Sequence, residues 1–247
     1  MKNPVPQKSG EKTRAHHPRR SRVKNSAANI GASIVKTLVM LLLFLAADSM
    51  TAPADLTPAE KAEHEKTIRV YSGSVIPQNP KDPRSYQIRG YAYFALGQLD
   101  LALADYSQAI RFAPGFSDHY RHRGEVYVAL GNNDKALEDF NRAIQLSPQR
   151  AGTYADRAGV FWTLHQYAEA GSDYQHEVTL GPNDAAACNS LAWFLVHCPE
   201  EKLRDAAKAA QLAQKACALS AGKISAYQET LQAARDAQAV ASPARPK

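Results

Sequence analysis

Cysteine, methionine and tryptophan are scarce in this 247-residue chain, at three, three and two, and several chemical signatures are missing altogether. There is no CxxC pair, so the sequence offers neither a ribbon-type zinc site nor a redox dithiol. No glycine-rich phosphate loop and no nucleophile elbow is present, which removes nucleotide hydrolysis and serine-hydrolase chemistry. Of eight histidines, two lie in the first 24 residues and the rest are scattered. His119 and His122 share a helix face with Glu125 nearby, but a structural zinc needs four ligands and a catalytic one usually three. No catalytic residue, no cofactor and no metal is therefore expected. Aromatics make up 8 % of the chain, and the sequence does not offer the aromatic-plus-basic surface that single-stranded nucleic acid requires.

A long apolar run is missing too. Thr37–Ala47 gives eleven uncharged residues, where a membrane-spanning helix needs about 20. Residues 1–24 are polar and basic, and Ala52-Pro53-Ala54 makes an A-x-A arrangement before Asp55. Residues 1–54 thus read as a leader with an apolar segment at about 30–47. It is either a cleaved signal peptide or a retained anchor in which Lys36 snorkels to the cytoplasmic surface. Both options send the remainder across the membrane. The body is expected to be exported, periplasmic or held on the outer side, with membrane contact only through that segment. The formal charge of +6 belongs to the leader, which holds nine of 30 Lys/Arg but two of 24 Asp/Glu. The rest, with 21 basic and 22 acidic residues, is near neutral and carries no signal for nucleic acid.

What the chain does have is repetition. Units 83–116, 117–150 and 151–184 align at an offset of 34 residues. Their fourth positions are Tyr86, Tyr120 and Tyr154, and their eighth positions are Gly90, Gly124 and Ala158. The eleventh are Tyr93, Tyr127 and Phe161; the twentieth are Ala102, Ala136 and Ala170. Position 24 reads Tyr106, Phe140 and Tyr174, and position 32 is Pro114, Pro148 and Pro182. Steps of three and four return to one helix face, so positions 4, 8 and 11 form a stripe. The small residues at 8 and 20 let two helices approach, and the aromatic at 24 fills what space remains. Gly97 and Gly131 suit the left-handed residue that ends a helix, while His165 in their place predicts a looser third turn. Each closing proline ends a second helix.

This pattern resembles the tetratricopeptide repeat (TPR) family, whose unit is a helix, a turn and an antiparallel second helix. The resemblance implies an all-α fold: a solenoid of helix pairs in a right-handed superhelix, since a single pair cannot bury its own apolar face. Residues 185–219 read as a divergent fourth repeat, with an insertion at Cys198–Lys202 and a second helix from about Leu203. Residues 220–240 read as a capping helix and 241–247 as a disordered tail. Residues 55–82 read as a degenerate half repeat and linker, its helix starting at Thr57 and interrupted by Gly73. The cysteines read as small buried residues. If any disulfide forms, helix geometry selects Cys188 with Cys217 over Cys198.

Position 7 carries Arg89, Arg123 and Arg157, and position 23 carries Asp105, Asp139 and Asp173. An anion-binding stripe is one reading; pairing of each arginine with an aspartate on the second helix is the favoured one. By resemblance, positions 2, 5, 9, 12 and 13 of the first helices line a concave groove. Here these are Arg84, Gln87, Tyr91 and Phe94, then Asp118, Arg121, Glu125 and Val128, then Trp162, and Trp193 in the fourth unit. These side chains are expected to face solvent in the free protein. Family members that grip carboxylate termini use basic and amide residues where this chain has Gln87, Tyr91, Gly152 and Asp156, so that clamp is absent. The implied function is an exported protein–protein interaction module holding a protein or peptide in the groove. A membrane-anchored scaffold that organises an envelope assembly is the alternative.

Overall fold

The computed structural model describes residues 56–241; the leader with its apolar segment and the tail from 242 lie outside them. Among the described residues there is no strand. Helix α1 (Pro58–Val70) leads into four helix pairs: α2 (Pro83–Ala95) with α3 (Leu99–Phe112), α4 (Ser117–Ala129) with α5 (Asn133–Leu146), α6 (Ala151–Thr163) with α7 (Tyr167–Leu180), and α8 (Ala185–His197) with α9 (Ala206–Leu219). A last helix, α10 (Ser225–Ala241), follows. The two helices of a pair pack most heavily on each other, and each second helix packs to a lesser extent on the first helix of the next pair. The result is a solenoid whose apolar interior is divided into clusters along the stack.

The repeated positions explain that packing. Ala102, Ala136 and Ala170 are fully buried, and Tyr106, Phe140 and Tyr174 are 0–1 % exposed beside them. The small eighth residue is a steric requirement. A Cβ on Gly124 would stand 2.8 Å from the Phe140 ring, and one on Gly90 would stand 3.2 Å from the Asp105 Cβ. Between pairs, the Tyr86 hydroxyl donates to the Pro80 carbonyl at 2.9 Å, and Tyr154 donates to Pro148 at 3.1 Å. Pro80 therefore stands where the later units have their closing prolines, so the repeat phase reaches upstream of residue 83.

The third turn is not loosened by His165. Its φ is 59°, beside 72° for Gly97 and 71° for Gly131. Its backbone bonds match as well: His165 N–H to Trp162 O at 2.9 Å and Gln166 N–H to Phe161 O at 2.8 Å, against 3.0 and 2.9 Å in the first turn. The imidazole Nδ1 lies 2.8 Å from the Tyr167 hydroxyl, a contact that offsets part of the cost of a left-handed non-glycine residue.

Gly73 does not break the first helix either. Thr57 caps α1 in a reciprocal arrangement with Glu60, and the chain stays helical to Gln78 through a π turn at Tyr71–Val75. A π turn accommodates one extra residue. Ser72 stands eight residues before Pro80, whereas Ser107 and Asn141 stand seven before Pro114 and Pro148. The π turn absorbs that difference and brings Ser72 to the place those residues occupy.

The insertion in the fourth pair extends a three-residue turn to Cys198–Asp205. It holds one 3-10 turn at Glu201–Leu203, and α9 begins at Ala206, five residues later than the 34-residue phase places it and three later than the expected Leu203. Arg204 pins this loop by donating from Nε to the Cys198 carbonyl at 2.6 Å. All three cysteines are free thiols. Cys188 and Cys217 share one cluster around Tyr227, and Cys198 is buried in another. Helix α10 closes the stack by packing Tyr227, Thr230 and Ala234 against α8 and α9, leaving Gln228, Glu229, Arg235 and Asp236 exposed.

Candidate partner-binding groove

The arginines at position 7 pair with aspartates and are not an open anion-binding stripe. Arg89, Arg123 and Arg157 each grip Asp105, Asp139 or Asp173 through two bonds of 2.7–2.8 Å. The third nitrogen reaches back to the preceding second helix, at Ser72 (3.0 Å), Ser107 (3.3 Å) and Asn141 (2.6 Å). The Asp105 and Asp139 hydrogen bonds hold the Arg89 and Arg123 guanidinium pKa values above their ordinary level, against the opposing pull of burial. Each arginine thus ties three helices together. In the fourth pair the two places are held by Leu191 and Leu212, members of one apolar cluster.

With those charges consumed internally, the inner surface consists of the first helices α2, α4, α6 and α8. Helix α4 touches both α2 and α6 across the stack, more than any two successive second helices touch each other, as expected when this part of the stack curves toward the first helices. On this side Arg84 is exposed, Tyr91 is 49 % exposed, and Gln87, Phe94 and Val128 are half-buried.

The middle of this face is a polar cluster. Arg121 contacts Glu125 one turn along α4 and reaches Asp156 on α6 at 3.5 Å. His122 Nδ1 lies 3.0 Å from the other Glu125 oxygen, and its ring stacks on Tyr106 at 5.6 Å. Arg121 exposes only 15 % of its side chain, so the expectation that it faces solvent freely does not hold. Its unit-three neighbours at positions 2, 5 and 9 are Gly152, Ala155 and Gly159, and a long side chain from α4 can lie across that bare floor. Asp118 is held by Arg150 at 2.6 Å. His119, paired by sequence with His122, instead lies buried against Phe116. Among the described residues no group of His, Cys, Asp or Glu is arranged to hold a metal.

The far end is aromatic. The Trp162 ring meets Trp193 edge-on at 4.9 Å and Tyr167 at 5.1 Å, and Trp193 stacks on His197 at 4.5 Å. His197 fixes itself by donating from Nδ1 to the Trp193 carbonyl at 3.0 Å. The structure therefore brings Trp162 and Trp193 together, and Arg121 with Glu125, while Arg84 stands apart from both groups. Sequence reasoning named Asp156 only as a place where the carboxylate clamp is absent, and it missed His122, Tyr167 and His197 as members of this face. The position-6 and position-13 places of Asp156 and His197 carried a usable signal; the bridging by Arg121 carried none.

Family models agree with this architecture. One described as TPR repeat matches residues 90–131, and one described as Tetratricopeptide repeat matches residues 117–150. Among solved structures, TTC0263, a thermophilic TPR protein of Thermus thermophilus, superposes with a TM-score of 0.56 at 16 % identity, over 82 % of this chain and 97 % of that one. MamA from Desulfovibrio magneticus RS-1 gives 0.55 at 17 %, over 78 % and 96 %. YrrB gives 0.51 at 18 %, over 73 % and 86 %. These likenesses establish the fold. No curated protein sequence matches the chain. The helix pairs, their 34-residue phase and the two family models together show that this chain carries tetratricopeptide repeats.

Proposed function

We propose that this chain is a non-catalytic interaction module that holds an extended segment of a protein partner along the inner face of α2, α4, α6 and α8. The carrying observation is the contrast between the two sets of polar residues. The repeated arginines are locked into the interior, while the inner face varies from unit to unit and displays Tyr91 and the Trp162–Trp193 pair. Solenoids of this kind present extended concave surfaces to partners, and YrrB is described as having an unusual peptide-binding site. The reading assigns no reaction.

Export belongs to the same proposal. The basic leader followed by an apolar run supports placing the repeats in the periplasm or on the outer face of the membrane. Among the described residues no helix is long and apolar enough to cross a membrane. N-terminal sequencing of natively expressed, fractionated protein tests it: a soluble chain beginning near Asp55 supports a mobile adaptor, retention of residues 30–47 supports the anchored form, and an intact cytosolic chain removes both.

For the groove, hydrogen–deuterium exchange of the full chain with a captured partner is decisive. Protection is expected on α2, α4, α6 and α8, and a Trp193→Ala, Tyr91→Ala variant is expected to lose capture while keeping its helical content. Protection confined to the second helices would place the binding surface elsewhere.

A further inference from the structure

We propose that residues 242–247, which follow α10 in the sequence, dock back on the inner face between α8 and α10 and cover the Trp193 end of the groove. The docking is argued from geometry and charge; its consequence, that a partner must displace the segment, rests on the groove reading above. The place of α10 in the repeat comes first. Its Tyr227 N–H bonds to Ile224 O at 3.1 Å, as His119 bonds to Phe116 and Thr153 to Arg150 at the starts of α4 and α6. Ser225 is therefore the counterpart of Ala185, at position 1 of a unit. Burial agrees: position 3 is buried at Ser85, His119, Thr153, Ala187 and Tyr227, and position 10 at Ala92, Val126, Val160, Phe194 and Ala234. At position 8, Gly90, Gly124, Ala158 and Ala192 are buried under a second helix, whereas Gln232 is exposed because none follows α10 among the described residues. Tyr227 shares a cluster with Cys188 and Ala234 one with Leu195, so α10 runs parallel to α8. It is a fifth first helix, and the inner face continues onto it.

That register fixes where the following segment starts. His197, the last residue of α8, corresponds to Ala237, and α10 runs on to Ala241. At 1.5 Å per residue its end lies about 6 Å past the level of His197, and neighbouring helices stand about 8–10 Å apart. Pro243 cannot extend a helix and disfavours a helical Ser242, so the chain turns off beside the Trp193–His197 stack. Six extended residues reach about 20 Å. Trp193 lies one turn back from His197, about 6 Å. A segment that reverses over two or three residues still reaches it.

Segment and surface are complementary in charge and in chemistry. Residues 242–247 read Ser-Pro-Ala-Arg-Pro-Lys, with two cations and no acid. Positions 5 and 12 of α10 are Glu229 and Asp236, both exposed, and position 9 is the small Ala233, next to Trp193 at position 9 of α8. Asp236 accepts from Gln232 at 2.8 Å, and among the described residues neither carboxylate is in an ion pair. Glu200 and Glu201 follow α8 at the same end; Lys202 matches Glu200 at 3.0 Å. The aromatic side is the half-buried Trp193, stacked with the exposed His197 and edge-on to Trp162. Aromatic-lined grooves hold extended, proline-bearing chains. Pro246 stands between Arg245 and Lys247, so one short segment lays a proline ring on the indole while its cations meet Glu229 and Asp236. Exposed charge pairs are individually weak, which keeps the segment displaceable.

Trp162 and Trp193 are the two tryptophans of the chain, so acrylamide quenching of indole fluorescence reads the docking directly. The full chain is compared with one ending at Ala241 and with a full-length Arg245→Glu, Lys247→Glu variant. Quenching is expected to rise in both, with an unchanged melting temperature. A synthetic peptide of residues 241–247 should restore protection to the truncated chain at a concentration on the order of 1 mM, because a short tether supplies an effective concentration of that size. Adding Glu229→Lys and Asp236→Lys to the charge-reversed chain should restore protection as well. Equal quenching of the full and truncated chains would overturn the proposal and leave the groove reading standing. Protection that disappears on dilution of the full chain would overturn it too, by placing the segment on a second copy. Indole protection by residues 242–247, combined with a partner footprint confined to the second helices, would uphold the docking and overturn the groove reading.

Discussion

Replacing Arg123 by alanine should destabilise the second repeat far more than a surface charge deletion does. Asp139 exposes only 6 % of its side chain and Arg123 23 %, and the two are joined by a pair of 2.8 Å bonds. Truncation leaves a buried carboxylate without its cation, which costs about 3–5 kcal/mol when both partners are fully buried. The outer edge of this guanidinium is wet, and exposed pairs are worth under about 1 kcal/mol. A loss of about 3 kcal/mol is therefore expected, or roughly 6–12 °C in melting temperature for a chain of this size. Loss of the Ser107 bond should add to it by loosening α4 from α3.

The fourth pair suggests a compensating change. Leu191 and Leu212 occupy the arginine and aspartate places there within an apolar cluster, so the interhelical space accepts two leucines. The double variant Arg123→Leu, Asp139→Leu should recover to within about 1 kcal/mol of the parent, because removing both charges leaves none uncompensated. Circular dichroism melts of the full chain, supported by hydrogen exchange on α4 and α5, measure both changes; the local probe is needed because stacked repeats unfold with nearest-neighbour cooperativity. An Arg123→Ala loss below about 1 kcal/mol would show that the pair behaves like an exposed one. A double variant as unstable as the single one would refute the leucine argument.

Two further outcomes follow from buried groups. His119 is 3 % exposed with both ring nitrogens unpartnered, and burial pushes its pKa below 6.5, with His122 reinforcing and Asp118 opposing. Because the unfolded chain takes up the proton more readily, stability should be full above about pH 6.5 and fall by up to about 1.4 kcal/mol per unit below it; His119→Phe should flatten that part of the profile, and a slope unchanged by the substitution would assign it to other groups. Thiol counting on the native protein should give three free thiols, with Cys217 reacting first and Cys188 and Cys198, whose pKa values burial raises, reacting on denaturation; a count of one would mean that a Cys188–Cys217 bridge forms after all.

Much of the fold was legible because the interior of each repeat solves one packing problem. Gly124 must be small because the Phe140 ring lies 2.8 Å from where its Cβ would be, and such a constraint recurs every 34 residues. The arginine–aspartate pairing could be read for the same reason, since both positions repeat together. Less legible was whatever depended on insertion or on a single neighbour. One extra residue taken up by a π turn hid the phase of Ser72 and Pro80. The longer turn before α9 hid the replacement of the charged pair by Leu191 and Leu212. The strain at His165 is local, and backbone bonds that do not depend on residue type hold the turn in shape.

The inner face resists the same reading for a reason that bears on function. Along the ninth positions the residues are Tyr91, Glu125, Gly159 and Trp193: exposed aromatic, acid, buried glycine and indole. The twentieth positions one layer away are Ala102, Ala136, Ala170 and, in α9, Ala209, all fully buried. Helix-to-helix spacing imposes the same demand on every alanine, so that row is uniform. No such demand acts on the ninth row, and each residue there is free to differ. Arg121 lying across a floor of Gly152, Ala155 and Gly159 is the consequence: a change of residue size in one repeat is answered by the side chain of another, which only the assembled stack can bring together. Under the groove reading proposed above, a partner lying along that face would meet a fixed sequence of polar, charged and aromatic surfaces, and the difference between repeats would favour one direction and one register.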